Sequence, residues 1–62
     1  MRIRVYAIPE SGDPFLMFIA DMGEEFAHQN ARKNRRIHTQ KLIGYEFRDT
    51  DGVRRFDFEV AE

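Results

Sequence analysis

The sequence predicts an α+β fold: a four-stranded, mainly antiparallel sheet in the order strand, strand, helix, strand, strand, with one helix packed on one face. Three observations carry this prediction. Two apolar runs near the start, "RIRVYAI" and "FLMFIA", are separated by the turn-forming "PESGDP". Two more near the end, "LIGYEFR" and "VRRFDFEV", flank "DTDG". Between the two pairs, apolar residues recur at helical spacing.

Taken in order, the first run alternates β-branched and aromatic residues from Arg2 to Ile8, and proline, glycine and aspartate then interrupt it before Phe15. This reads as a hairpin with a long loop. Ile3, Val5, Ala7, Phe15, Met17 and Ile19 are expected to face the core, which sends Tyr6, Ile8, Leu16 and Phe18 to the opposite face. The helix opens with Asp21 and Glu24 at capping-box spacing, with Gly23 inside the first turn. Wound at about 100° per residue, the segment gathers Met22, Phe26, Ala27, Asn30, Ala31, Asn34 and Ile37 on one side. Glu24, Glu25, His28, Gln29, Arg32, Arg35 and Arg36 fall on the other. Ala27 and Ala31 allow a close approach to the sheet, and the two asparagines need partners. "HTQK" leads into the third strand.

The second hairpin has a testable register. A loop over "DTDG" sets Glu46 opposite Arg55, Tyr45 opposite Phe56 and Ile43 opposite Phe58, so acid meets base and apolar meets apolar. Gly44, inside a strand, marks a bulge or a close helix contact. The expected core is Ile3, Val5, Phe15, Met17, Ile19, Phe26, Ile43, Tyr45, Phe56 and Phe58. Strand order stays open, because the connection through the helix permits parallel inner strands by a right-handed crossover.

Sixty-two residues make one domain, 1–62, and such a chain buries only about 60% of its unfolded surface. There is no cysteine to staple it, and two isolated histidines do not close a structural metal site. Six phenylalanines and two tyrosines supply the burial that argues against disorder. No apolar run approaches the roughly 20 residues of a membrane helix, and "MRIRVYAIP" is too short and interrupted for a signal peptide. A cytoplasmic protein with no cofactor is the expectation.

Charge is balanced overall at −1, yet "ARKNRRIHTQK", residues 31–41, holds five of the ten basic side chains, and no acid occurs from Phe26 to Tyr45. Arg32, Lys33, Arg35, Arg36 and Lys41 are candidates for phosphate contact in a nucleic-acid-binding reading. Equally, cations at a helix C-terminus and acids at its start are what the helix dipole favours. The run "[KR]-G-[FY]-[GA]-F" that carries stacking rings in RNA-binding sheets is absent, and "LIGYEF" shares only its glycine and aromatic spacing. Glu25 and His28 form a single Glu-x-x-His with no second copy. Aligning Gly52 with the glycine of a calcium loop puts Phe47 and Phe58 where ligands are needed. Ser11 has neither a histidine nor a G-x-S-x-G elbow near it. Catalysis is therefore not expected.

One helix covers one face of a sheet, so Tyr6, Ile8, Leu16 and Phe18 are expected as an exposed apolar patch, rimmed by Arg32, Arg35 and Arg36. In length and plan, with its Asp-capped helix "DMGEEFAHQNARKNRR" and its aromatic hairpin closed by "DTDG", the chain resembles the small single-domain inhibitors encoded by phages and mobile elements, of which anti-CRISPR proteins are the best-known group. The resemblance implies a non-catalytic module that binds a host protein or nucleoprotein complex that handles nucleic acid. Simple mimicry of DNA fits poorly, because the chain is nearly neutral. Direct nucleic-acid binding and a homodimer joined through the apolar patch are the alternatives.

Overall fold

A computed structural model describes residues 2–35 and 41–58. The elements follow the expected order: β1 (Ile3–Pro9), β2 (Phe15–Ala20), α1 (Glu24–Arg35), β3 (Leu42–Asp49) and β4 (Gly52–Asp57). They form one four-stranded sheet in the order β2-β1-β3-β4, with every neighbouring pair antiparallel. The inner strands β1 and β3 are thus antiparallel. It is β2 and β3 that run parallel, with β1 between them, and α1 makes the crossover.

The second hairpin takes the register predicted for it. Glu46 lies opposite Arg55 and Tyr45 opposite Phe56, and the Phe58 amide donates to the Ile43 carbonyl at 3.0 Å. The turn closes tightly because the Asp51 amide donates to Asp49 Oδ1 at 2.8 Å, while Gly52 takes a φ of +121°, which a side chain disfavours. Gly44 sits beside an irregularity of the ladder, where Ile8 pairs with Gly44 but Pro9 with Leu42, and it marks a close approach of strands, not of the helix. A Cβ built there would lie 2.5 Å from the Phe56 carbonyl oxygen.

The first hairpin departs from strict alternation. Val5 pairs with Phe18, but Tyr6 pairs with Leu16, so Met17 is an extra residue on β2. This bulge exchanges the faces of the residues that follow it. Phe18, expected on the open face, packs against the core with Met17, whereas Ile19, expected inside, is 51% exposed. Ile8, also assigned to the open patch, is only 6% exposed.

The helix is rolled relative to its predicted orientation. Ala27 and Ala31 are fully buried, so the backbone does lie close to the sheet, but Met22 is 72% and Phe26 39% exposed. His28, expected in solvent, turns inward among Tyr45, Phe47 and Phe56, with ring centroids 5.7, 4.8 and 4.7 Å away. The physical reason is volume: alanines pack against β1 and β2, and the rings of β3 and β4 fill the wider gap beside them. Asp21 does not cap the helix. α1 begins at Glu24, and the Gly23 carbonyl accepts from the Ala27 amide at 3.2 Å. Glu24 instead meets Arg54 on β4 at 3.0 Å. Asn30 and Asn34 find partners in their own helix, donating to the carbonyls four residues back, Phe26 and Asn30.

Ile3, Val5, Ala20, Ala27, Ala31, Tyr45 and Phe47 form the buried cluster, against which Met17, Phe18, Phe56 and Phe58 pack. Phe47, which the expected core omitted, is completely buried. Among the described residues, no helix is long and apolar enough to cross a membrane.

Candidate binding face

Two groups of polar side chains stand out, one on each face of the sheet. On the helix side, the Tyr45 hydroxyl lies 2.6 Å from His28 Nδ1, and the positive charge of Arg32 acts on both groups. Burial lowers the His28 pKa below its usual value, with Arg32 adding to the effect, and a neutral imidazole lets Nδ1 accept the phenolic proton. Burial likewise raises the Tyr45 pKa, which Arg32 opposes. The His28–Tyr45 contact joins the helix to the aromatic cluster of β3 and β4.

The basic stretch has mixed surroundings. Arg32 is exposed, and the Arg35 guanidinium lies over Phe58 at 4.7 Å. Lys41 sits 3.7 Å from Glu10, and the Glu10 amide donates to the Lys41 carbonyl at 2.9 Å, beside a recess of about 350 Å³ lined by Pro9 and Ser11 as well. Lys33 is exposed on the helix, and Arg36 lies outside the described residues, as do His38, Thr39 and Gln40. Among the described cations of the stretch, Arg32 and Lys33 are exposed, while Arg35 and Lys41 each have a near neighbour.

The opposite face of the sheet is uncovered by the helix. Backbone pairing places its side chains in rows that run across the strands. One row is Ile19, Arg4, Arg48 and Val53, and the next is Leu16, Tyr6, Glu46 and Arg55. Leu16, Ile19 and Val53 are 48%, 51% and 63% exposed. In the first row apolar groups thus occupy both edges, with arginines between them.

The centre of this face is held rigidly. Glu46 Oε2 accepts from both Nε and Nη2 of Arg48 at 2.7 Å, and the same guanidinium covers the Tyr6 ring at 3.9 Å from its centroid. Tyr6, proposed as a contact residue, is therefore on the expected face but has its ring occupied, which removes it as a platform for a stacked base. Arg55 meets Asp57 at 3.4 Å. Arg4 has no acidic partner within ion-pair distance among the described residues.

No protein-family model, curated protein or solved structure matches the chain. The face must be understood from its own chemistry.

Of the residues assigned to a partner surface from sequence, Leu16 and Tyr6 lie on this face, Ile8 is buried, and Phe18 is on the other side. Arg4, Ile19, Arg48 and Val53 were missed. The alternation of Arg2 and Arg4 with Ile3 and Val5 was a usable signal for two of the arginines. Nothing in the sequence set Arg4 beside Arg48, which required the strand order, and nothing marked the bulge that releases Ile19.

Proposed function

We propose that the chain is a non-catalytic protein-binding module that docks through the open face of its sheet, in the manner of small phage-encoded inhibitors of nucleic-acid-handling complexes. The observation that carries this reading is the row Ile19, Arg4, Arg48, Val53, in which exposed apolar groups flank a pair of adjacent arginines. Like charges directly opposite one another across strands oppose folding. Glu46 offsets Arg48, but Arg4 has no acidic partner among the described residues, and a binding partner that supplies one relieves the repulsion. The partner surface that fits is acidic at its centre and apolar at two edges about three strand spacings apart, or about 14 Å.

A second copy fits less well. It would bring its own Arg4 and Arg48 to the contact, so the charges on this face oppose the homodimer. Nucleic acid finds arginines here, but the Tyr6 ring is covered by Arg48 and offers no stacking surface.

The test is selection of binders from a displayed random-peptide library, using the wild-type protein and the Leu16→Asp/Ile19→Asp variant. The expected wild-type ligands carry acidic residues next to apolar ones, and the double variant weakens them at least tenfold while its circular dichroism spectrum stays native. If the folded variant binds the same peptides equally well, this face is not the docking surface.

A further inference from the structure

At one end of the open face, Arg2, Arg4 and Arg48 line a recess of about 440 Å³ together with Ile19, Asp49 and Thr50. That volume is within the range of small-molecule sites, about 300–1,000 Å³. Its electrostatics are one-sided. Asp49 does not neutralise the arginines, because its carboxylate is turned to Arg54 at 3.3 Å and its side chain is only 3% exposed. Among the described residues, Glu46 is the one acid engaged with the three guanidiniums, through Arg48. Three cations against one carboxylate leave a surplus of two positive charges.

We infer that this recess is a binding site for a phosphate monoester. The match is in charge and in geometry. A phosphate monoester carries about −1.5 to −2 at neutral pH, which balances the surplus, whereas a carboxylate or a phosphodiester brings a single charge. Guanidinium groups present forked N–H donors that suit tetrahedral oxyanions. Arg48 is already oriented by Glu46 and Tyr6, with three of its five N–H donors left over, so little rotamer freedom is lost on binding. Thr50 adds a hydroxyl at the rim, and Ile19, 51% exposed, supplies apolar contact for the carrier of the phosphate. A compact recess at the end of a sheet also differs from the extended basic groove that tracks a nucleic-acid backbone.

The phosphoryl group can arrive free, on a small metabolite, or on a phosphorylated side chain of a protein. The last of these sources rests on the protein-binding reading above, while the site itself does not. Arginine Nε–Hε signals in ¹H–¹⁵N spectra read the site directly. Inorganic phosphate, a phosphoserine hexapeptide with apolar flanks, its unphosphorylated form, and a mixed-sequence single-stranded DNA are titrated at fixed ionic strength. Saturable shifts of Arg4 and Arg48 with phosphate or the phosphopeptide are expected, with no response to the unphosphorylated peptide. Arg4→Gln weakens binding about tenfold, the loss of one charge-assisted contact. Arg2→Gln, outside the strands, does the same without touching the sheet.

Binding of phosphate without the phosphopeptide supports the site and assigns it to free phosphate or a small phosphorylated molecule. Absence of saturable shifts with both probes overturns the inference, even if the library peptides still bind through Leu16 and Ile19. A stronger response to DNA than to phosphate overturns it in favour of nucleic-acid binding. If phosphate binds and no peptide is selected on the open face, the inference stands and the protein-binding reading falls.

Discussion

The bulge at Met17 makes two adjacent residues of β2 behave oppositely, and a pair of substitutions measures this. Phe18→Asp and Ile19→Asp introduce the same side chain one position apart. Ile19 is 51% exposed on the open face, so its replacement forfeits about half of the ~1.5–3 kcal/mol that a fully buried aliphatic side chain contributes, roughly 1 kcal/mol. Phe18 pairs with Val5 and packs against the buried cluster. Removing a core phenylalanine costs about 3–5 kcal/mol, of which partial exposure leaves roughly 2–3. Placing a carboxylate against that apolar cluster adds about 1–3 kcal/mol. A domain of 62 residues has about 3–9 kcal/mol to lose. Phe18→Asp is therefore expected to be largely unfolded, while Ile19→Asp stays folded with a urea midpoint lowered by about 1 M, for a slope near 1 kcal/mol/M. Urea titration followed by circular dichroism gives both values. A stable Phe18→Asp beside an unfolded Ile19→Asp would restore strict alternation along β2 and refute the bulge.

Two further outcomes follow from local geometry. Gly44→Ala sets a methyl 2.5 Å from the Phe56 carbonyl, and since that neighbour is strand backbone, β4 must shift; a loss of about 1–3 kcal/mol is expected in chemical denaturation. The lowered His28 pKa means that the unfolded chain binds the proton more readily than the folded one, so stability falls as pH drops from about 6.5 towards the folded pKa and levels off below it. Comparing denaturation midpoints at several pH values for wild type and His28→Gln isolates this contribution, and an unchanged difference between the two proteins across that window would contradict it.

Much of the fold was legible in the sequence, because local chemistry specifies it. "DTDG" supplies a turn with its own Asp49 to Asp51 hydrogen bond and a glycine at positive φ, and the alternation of Tyr45, Phe47, Phe56 with Glu46, Arg48, Arg55 then leaves one sensible register. The first hairpin was less readable for a reason visible in "FLMFIA": six apolar residues in succession contain no polar position to report which face each one takes. A one-residue insertion in the ladder is silent in such a run, yet it exchanges Phe18 for Ile19 on the open face. The candidate site suffered more than the fold. Basic residues cluster in sequence at 31–41, yet Arg35 there lies over Phe58 and Lys41 pairs with Glu10, whereas Arg4 and Arg48 meet only because β1 pairs with β3.

By itself, the sequence determined the four strands and the helix, the pairing of the second hairpin, the close helix contact through Ala27 and Ala31, and the existence of a face that one helix leaves uncovered. These depend on periodicity, turn chemistry and residue volume, which act over a few positions. Tertiary structure alone decided that β1 lies between β2 and β3, that the helix rolls to bring His28 onto the aromatic rings, and that Arg2, Arg4 and Arg48 surround one recess. Each of these is a competition among non-local packings. Burying the rings of β3 and β4 beside two alanines outweighs the amphipathic pattern of an isolated helix, and the placement of charge on the open face follows from that choice of strand order.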